Sequence, residues 1–284
     1  MKKSIVYLKR LINAVVANDF FGMASEMGFM SVLGIFPAML FLTAVCAWVG
    51  KHEFMAPVFA TMSTFMPDDV YNLIITVLNE VMFYSKGGFW AALGFIITLI
   101  LTTNTVAIIL KGMNRAYQVE ETRSFLYTRM LSLLMVIVDT VLFFFAIDMI
   151  IFGKLFLNFC VNYLNLGKDA ADLWMFLRWP VSFIFLYVIA FLQYYILPDL
   201  KGPEILKLKS TVPGTFFFCI FWLVGSWGFS VYINSWHTYN FVYGTIGAFA
   251  VLMVWMYYSS ILILIGAEIN SQVYNRLEIT ENSK

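Results

Sequence analysis

The sequence predicts an all-α fold: a polytopic membrane helical bundle with six transmembrane helices, an N-terminal interfacial helix and a short extracytoplasmic amphipathic helix. Two observations predict this class. Hydrophobic residues make up 61% of the 284 residues and charged residues only 12%, whereas a soluble domain carries about 25% charged residues. In addition, six continuous apolar runs of roughly 20 residues are each long enough to cross about 30 Å of hydrocarbon as a helix. Continuous runs disfavour a membrane β-barrel, whose strands are short and alternating.

The six apolar runs give the predicted spans and, with them, the domain boundaries. They cover about 29–50, 89–110, 131–152, 174–197, 212–233 and 243–266. A transmembrane domain over 29–272 is therefore expected between a cytoplasmic amphipathic leader, 1–28, and a cytoplasmic tail, 273–284. The first apolar run is too long for the apolar region of a signal peptide and follows a charged leader, so we expect no cleaved signal.

The leader and the long first outer connection each predict an amphipathic helix. At about 100° per residue, five apolar side chains of the leader share one face, opposite Lys3 and Arg10. They are Ile5, Leu8, Ile12, Val15 and Val16. Attraction to anionic lipid and a simple topological anchor both fit this pattern. In the connection 51–88, Pro67–Asp69 offers an N-cap to an apolar-periodic run from Val70 to Phe83, a lid or a packing element on the outer side.

Positive charge predicts the orientation. Most of the 18 lysines and arginines lie in the leader, the second and fourth connections and the tail, so the positive-inside rule puts both termini in the cytoplasm. They are Lys2, Lys3, Lys9, Arg10, Lys111, Arg115, Arg123, Arg129, Lys201, Lys207, Lys209, Arg276 and Lys284. Aromatic residues typical of a membrane surface cluster where the fifth and sixth spans would meet the outer interface. They are Tyr232, Trp236, Tyr239 and Tyr243.

Two aspartates lie inside the third predicted span, in MVIVDTVLFFFAIDMII. If the span runs outward from about Met130 at about 1.5 Å per residue, Asp139 lies roughly 13 Å in, near mid-depth, and Asp148 roughly 27 Å in. The two side chains point to opposite faces of the helix, so they are not a catalytic carboxylate pair. An aspartate at the centre of a span costs about 2.5–3.5 kcal/mol, so we expect Asp139 to face the bundle interior or a wet cavity.

Other polar side chains are biased towards the cytoplasmic half of the predicted bundle. With Asp139 they form a candidate polar cavity or substrate path: Asn104, Gln193, Glu26, Glu268 and Asn270. Polar groups at hydrocarbon depth need protein or water to satisfy them. A cavity open to the cytoplasm, with Asp139 and Asn104 near its floor, meets that need, and so does a set of interhelical hydrogen bonds that only holds the bundle together.

Small residues and one proline predict bent or closely packed helices. Pro37 removes a backbone donor and should kink the first span. The pairs Gly34 with Ala38 and Gly244 with Ala248 have the small-xxx-small spacing that lets two helices approach closely. Kinks serve gating in some transporters and occur in plain packing, so the pattern alone does not choose between these roles.

The composition also limits partners and cofactors. The three cysteines, Cys46, Cys160 and Cys219, have neither metal-ligand nor redox spacing, so we expect no metal and no cofactor. The net charge of +1 argues against a nucleic-acid partner, which normally requires a clear basic excess. Membrane lipids are the expected partners, and the oligomeric state stays open.

Three stretches resemble the YihY/BrkB family of bacterial inner-membrane proteins. They are ASEMGFMSVLGIFPAMLFLTAVCAWVG, KGMNRAYQVEETRSFLYTRMLSL, and VPGTFFFCIFW through YNFVYGTIGAFAVLMVWMYYSSILILIGAEINSQV. The resemblance covers about 19–274 and implies a six-helix bundle in the inner membrane. The positions that match the family motifs are Pro37, Asn114, Arg115, Tyr117, Pro213, Gly214, Tyr243, Gly244, Trp255, Gly266, Glu268 and Asn270. Asp139 is not one of them.

The matched residues suggest local roles. Arg115, directly after the second span, and Arg123 are candidates for contact with lipid phosphate through the guanidinium fork, although ordinary positive-inside orientation explains them equally well. Pro213–Gly214 is expected to open the fifth helix, since proline suits a first turn. Glu268 is a candidate to pair with Arg115 or Arg123 on the cytoplasmic face.

The resemblance implies envelope or lipid-linked transport, and an older family label implies ribonuclease BN. The two histidines, His52 and His237, are both predicted outside the cell, and the sequence has no HExxH, GxSxG or phosphate-binding glycine loop. We therefore expect no enzyme activity, ribonuclease included. The leading expectation is a transporter or flippase-like carrier for a lipid or envelope precursor. The alternatives are a membrane scaffold or regulatory protein without its own substrate, and a small-solute channel.

Overall fold

The computed structural model describes residues 2–49, 88–151, 168–235 and 237–282, and the regular structure in these ranges is entirely α-helical. The helices in chain order are α1 (Lys2–Ala17), α2 (Phe20–Val49), α3 (Gly88–Tyr117), α4 (Phe125–Ile151), α5 (Lys168–Ile196), α6 (Glu204–Ser235) and α7 (His237–Asn282). The predicted all-α class is confirmed for these residues. The predicted outer helix at Val70–Phe83 lies outside the described residues.

Each of the six predicted spans falls within one of the helices α2 to α7 and extends at most one residue beyond it, while the helices themselves are longer than the spans. Among the described residues, four stretches are long and apolar enough to cross a membrane: Ala92–Tyr117, Phe125–Leu142, Glu204–Tyr232 and Phe249–Glu281. Two shorter apolar stretches, Phe20–Ile35 and Pro180–Ile196, lie in α2 and α5. The described residues thus support several membrane-crossing helices, while the count of six stays a prediction.

A two-residue turn, Asn18 and Asp19, separates α1 from α2. The predicted amphipathic helix is present as α1, within the predicted leader 1–28, and the last residues of that leader already belong to α2, which begins at Phe20. Asp19 adopts a left-handed backbone with a φ of 54°, a conformation that aspartate tolerates better than most residues. Its carboxylate lies beside Gly22, in the first turn of α2, where negative charge favours a helix N-terminus.

Three prolines of the described residues lie inside long helices: Pro37, Pro180 and Pro213. α2 continues through Pro37 to Val49. The expectation that Pro213 opens its helix is wrong, because α6 begins upstream at Glu204 and Pro213 is interior. The polar turn before it, which includes Leu206 and Ser210, is helical and buries both of these side chains. The expectation followed hydropathy, which marks the start of the apolar run near residue 212, whereas the helix α6 begins eight residues earlier.

The chain divides into two compact units. The first comprises Met1–Ala14, Leu110–Phe221 and Ile265–Lys284, and the second comprises Val15–Ile109 and Trp222–Leu264. In the second unit, α6 and α7 are joined by hydrogen bonds from indole nitrogens to serine hydroxyls: Trp222 Nε1 to Ser259 Oγ at 3.0 Å and Trp255 Nε1 to Ser226 Oγ at 3.4 Å. Indole N–H groups inside an apolar bundle need such partners.

Candidate functional site

The first unit brings together two of the predicted site residues, Asp139 of α4 and Gln193 of α5. The two helices pack against each other, and Gln193 Nε2 donates a hydrogen bond to Asp139 Oδ2. The other oxygen of each group, Asp139 Oδ1 and Gln193 Oε1, is buried without a hydrogen-bond partner among the described residues. The pair is therefore only half satisfied, in a span where water is scarce.

Asp139 lies on the packed face of α4. Ser132 and Met135 are fully buried, and at helical periodicity they share a face with Asp139. By contrast, Leu134, Ile137 and Val141 are each about half exposed. The carboxyl group is consequently turned towards α5, as the cost of an aspartate against acyl chains requires.

A second buried contact joins α6 and α7 at Gly214. Gly214 follows Pro213, and its N–H donates to Asn270 Oδ1 at 2.6 Å, with both residues buried. A Cβ on Gly214 would collide with the backbone oxygen of Gly266, and a Cβ on Gly266 would collide with the Tyr194 hydroxyl. Three helices, α5, α6 and α7, thus meet where two glycines leave room. Asn270 Nδ2 has no hydrogen-bond partner among the described residues.

The end of α7 also contacts the end of α3. Ser271 Oγ donates to the Ala116 carbonyl at 2.7 Å. The rings of Tyr117 and Tyr274 meet edge to face, with centroids 5.8 Å apart, and they pack with Leu200 and Leu206. Nearby, Glu268 is 5% exposed and accepts a hydrogen bond from Gln272 Nε2 at 3.1 Å.

A polar network joins the connection after α3 to the connection after α5. We call it the loop clasp, and its members are Asn114, Glu121, Thr122, Arg123 and Asp199. Thr122 donates to Asp199 Oδ2 from its backbone N at 2.9 Å and from Oγ1 at 2.6 Å. Asn114 Oδ1 accepts from Asp199 N at 2.8 Å, while Asn114 Nδ2 donates to Glu121 Oε2 at 2.8 Å.

Arg123 completes the loop clasp. Its Nε donates to Glu121 Oε1 at 2.6 Å and its Nη2 to Glu121 Oε2 at 2.7 Å, the two-point contact that a guanidinium makes with a carboxylate. Nη2 also donates to the Leu197 carbonyl at 2.7 Å, and Nε lies 3.9 Å from Asp199 Oδ1.

Charge pairing sets the ionisation of the loop clasp. The hydrogen bond from Arg123 lowers the pKa of Glu121 below its usual value, and burial only partly opposes this. The same hydrogen bond raises the pKa of Arg123. Burial raises the pKa of Asp199, but the hydrogen bonds from Thr122 and the nearby Arg123 charge outweigh it, so this pKa is lowered. All three groups are held in their charged forms.

The loop clasp changes two expectations about the arginines. The proposed pairing of Glu268 with Arg123 is wrong, because Arg123 binds Glu121 instead. The same contacts occupy Arg123 and argue against its predicted role in binding lipid phosphate. Arg115 is exposed and keeps that role as a prediction.

The remaining predicted residues are spread over the chain. Asn104, partly buried, and Glu26, exposed, belong to the second unit. Beside Asn104, the hydroxyls of Thr102 and Thr105 donate to carbonyls of their own helix. The side chains of Asp148 and Tyr243 and the surroundings of Gly244 are outside the part of the chain that the structure describes.

Several residues of this region were missed by sequence reasoning. Glu121, Thr122 and Asp199 of the loop clasp sit in short polar connections, which predict only surface loops. Tyr194, Ser271 and Tyr274 read as ordinary helix residues. Over the described ranges, no group of three or more histidine, cysteine, aspartate or glutamate side chains could hold a metal ion.

Long apolar helices, a carboxyl–amide pair buried between two of them and a polar clasp between connections define a polytopic α-helical membrane protein. The sequence profile of the family described as Virulence factor BrkB matches residues 11–284. The chain belongs to this family, which confirms the resemblance seen in the sequence motifs.

Relatives span nearly the whole chain. It is 27% identical over 277 residues to the ribonuclease-like protein YfkH of Bacillus subtilis, covering 98% of each chain. It is 23% identical over 286 residues to a UPF0761 membrane protein of Pseudoalteromonas atlantica, covering 99% of this chain and 91% of the relative. A UPF0761 membrane protein of Xanthomonas oryzae is 29% identical over 100 residues, 35% of this chain and 22% of the relative. No solved structure matches the chain.

Proposed function

We propose that the protein is a transporter or flippase-like carrier for a lipid or a lipid-linked envelope precursor. The observation that supports this most directly is the Asp139–Gln193 pair. Ionisable residues within spans are costly and typically mark a transport pathway or proton relay. Here the pair leaves two buried oxygen atoms without donors. These oxygens can each accept a hydrogen bond from a substrate or a proton carrier, which a purely structural contact would not need.

We also propose six spans in the inner membrane with both termini in the cytoplasm. The distribution of lysine and arginine supports this orientation, and the coincidence of each predicted span with one of α2 to α7 supports the number.

The carrier proposal is tested with protein reconstituted in liposomes that contain a trace of lipid with a fluorescent headgroup. We expect faster loss of inner-leaflet fluorescence to an external quencher than in protein-free liposomes, and a large reduction in the Asp139→Leu and Gln193→Leu variants. Thr140→Val is the matched control, because Thr140 is the exposed neighbour of Asp139 and donates only to the Val136 carbonyl of its own helix. A rate equal to that of protein-free liposomes contradicts the proposal.

A scaffold or regulatory protein without its own substrate is the second candidate. One specific observation favours it: Asn270, expected on a substrate path, instead uses its oxygen to hold Gly214 of α6. Complementation of a deletion strain separates the candidates. If Asp139→Asn, Asn104→Ala and Glu268→Gln each insert normally and complement fully, the scaffold is favoured over the carrier.

The ribonuclease-like name of the Bacillus relative is not carried over to this chain. The reason is the sequence, whose two histidines are both predicted on the outer side, away from RNA. Purified protein incubated with RNA and a divalent metal should leave the RNA intact. Specific cleavage that a single substitution abolishes would overturn this view.

A further inference from the structure

The Asp139–Gln193 contact has an unbalanced set of hydrogen-bonding atoms. An ionised carboxylate offers only acceptors, and an amide offers one acceptor oxygen and one NH2 donor group. After Gln193 Nε2 donates to Asp139 Oδ2, the two remaining oxygens, Oδ1 and Oε1, are both acceptors, and both are buried without a donor. Two buried acceptors without donors in a dry environment are unfavourable.

One proton removes this imbalance. A protonated carboxyl group carries an O–H donor. With the proton on Oδ1, Asp139 can donate to Gln193 Oε1 while it still accepts from Gln193 Nε2. The two planar groups then form two parallel hydrogen bonds in a closed acid–amide ring. The side-chain oxygens of both residues are satisfied, and no net charge remains in the span.

Among the described side chains, none offers Asp139 a counter-charge. Gln193 is the only described side chain with which Asp139 interacts. On α4, the Arg129 guanidinium lies over the Phe125 ring, 5.2 Å from its centroid. On α5, the titratable side chains include Tyr187 and Tyr194, whose phenol groups cannot supply a positive charge. An ionised Asp139 would therefore be an unpaired charge among apolar side chains, which is strongly disfavoured.

We propose that Asp139 and Gln193 form a membrane-embedded proton-binding site in which the resting protein holds one proton on Asp139 Oδ1. Release of the proton to water leaves a carboxylate and opens the ring, so that Oδ1 and Oε1 both require a new donor or a cation. The contact between α4 and α5 therefore depends on whether Asp139 holds the proton. The site goes beyond the proposed carrier function, since proton occupancy requires no lipid substrate.

Infrared difference spectroscopy of the full chain in phospholipid nanodiscs tests the site directly. At neutral pH, the wild-type spectrum should contain a protonated-carboxyl C=O band that is lost in Asp139→Asn, retained in the neighbouring control Thr140→Val and shifted to lower frequency in D2O. In Gln193→Leu the band should shift to higher frequency, because the carboxyl C=O loses its amide donor. Absence of any band that depends on Asp139 overturns the proposal.

Thermal unfolding supplies a second readout that does not depend on the Gln193 variant being folded. In Asp139→Asn, the new amide supplies an N–H to Gln193 Oε1 without a titrating proton, so position 139 should no longer contribute to the pH dependence of unfolding. Wild type should lose stability relative to Asp139→Asn as pH rises above the ordinary carboxyl pKa of about 4, because the unfolded protein then releases the proton that the folded protein still holds. An equal change with rising pH in both proteins, or wild-type stability that follows sodium concentration and not pH, overturns the proton assignment.

The two proposals fail separately. Lipid movement without the Asp139 band removes the proton site and leaves the carrier, whereas the band without lipid movement removes the carrier and leaves the proton site.

Discussion

At the scale of single residues, Asn270 shows how one amide can organise a helix contact. Proline at 213 removes a donor from α6 and disturbs the hydrogen bonding of the next turn. The Gly214 N–H then donates to Asn270 Oδ1 of α7 at 2.6 Å, in a position closed to water. This bond also settles the orientation of the amide, since only its oxygen can accept from an N–H.

Asn270→Ala should destabilise the protein by about 1–3 kcal/mol, because it leaves a buried backbone donor without its acceptor. The measurement is thermal or denaturant unfolding of the purified protein in detergent. Asn275→Ala is the matched control, because Asn275 lies on the same helix and is exposed, and it should leave stability nearly unchanged. Equal losses in the two variants would argue that the bond to Gly214 contributes nothing.

At the scale of helices, α6 contains one glycine in a tightly packed contact and another on an open surface. A Cβ at Gly214 meets the backbone of α7 and the Asn270 side chain, whereas a Cβ at Gly228 has nothing within 4 Å. The same helix thus offers two glycine sites with opposite environments.

Gly214→Ala should destabilise the protein by about 1–3 kcal/mol through overpacking. Gly228→Ala should be neutral or stabilise by up to about 1 kcal/mol, because alanine favours a helix over glycine. Unfolding of the two variants under identical detergent conditions checks both signs. A stable Gly214→Ala variant would mean that α6 and α7 leave room for a Cβ at position 214.

The loop clasp makes a prediction about acid. Because the pKa of Glu121 and of Asp199 is lowered in the folded protein, their stabilisation is present above the ordinary carboxyl pKa of about 4 and is lost as pH falls through the lowered values. Wild type should therefore lose stability as pH falls from about 5 towards 3. Glu121→Gln should lose less over that interval, measured as unfolding temperature against pH. The exposed neighbour variant Glu120→Gln should follow wild type, and a wild-type slope in Glu121→Gln would contradict the role of this carboxylate.

Hydropathy predicted the helices well and their contacts poorly. The apolar runs located α2 to α7, but the helix ends were missed because polar turns such as the Glu268–Asn282 end of α7 stay helical. Depth estimates placed Asp139 and Gln193 as candidates for one polar site, and the structure supplied the contact between them. Contacts such as Thr122 with Asp199 leave no local pattern, since neither residue has a periodicity or spacing that identifies the other.

At the scale of the whole molecule, α7 is longer than any membrane span requires. Its 46 residues extend about 69 Å at 1.5 Å per residue, against about 30 Å of hydrocarbon. Its last residues include the exposed charges Arg276, Glu278 and Glu281. The C-terminal part of α7 is therefore expected to stand in water, on the cytoplasmic side in the proposed topology.

Cysteine labelling tests that topology in a background in which Cys46, Cys160 and Cys219 are replaced. A membrane-impermeant thiol reagent should label His52→Cys in spheroplasts. Arg276→Cys should react only after permeabilisation. Labelling of Arg276→Cys in sealed spheroplasts would reverse the predicted orientation, and labelling of neither variant in either preparation would mean that both sites are buried.

The loop clasp has a consequence for the order in which the protein folds during its synthesis. Thr122 and Asp199 are 77 residues apart, and the chain between them contains all of α4 and α5. Their hydrogen bonds cannot form until both helices have been synthesised, so closure of the loop clasp is a late event in folding. In a chain halted before Asp199, Arg123 can still pair with Glu121, but Thr122 lacks the carboxylate that binds it in the folded protein.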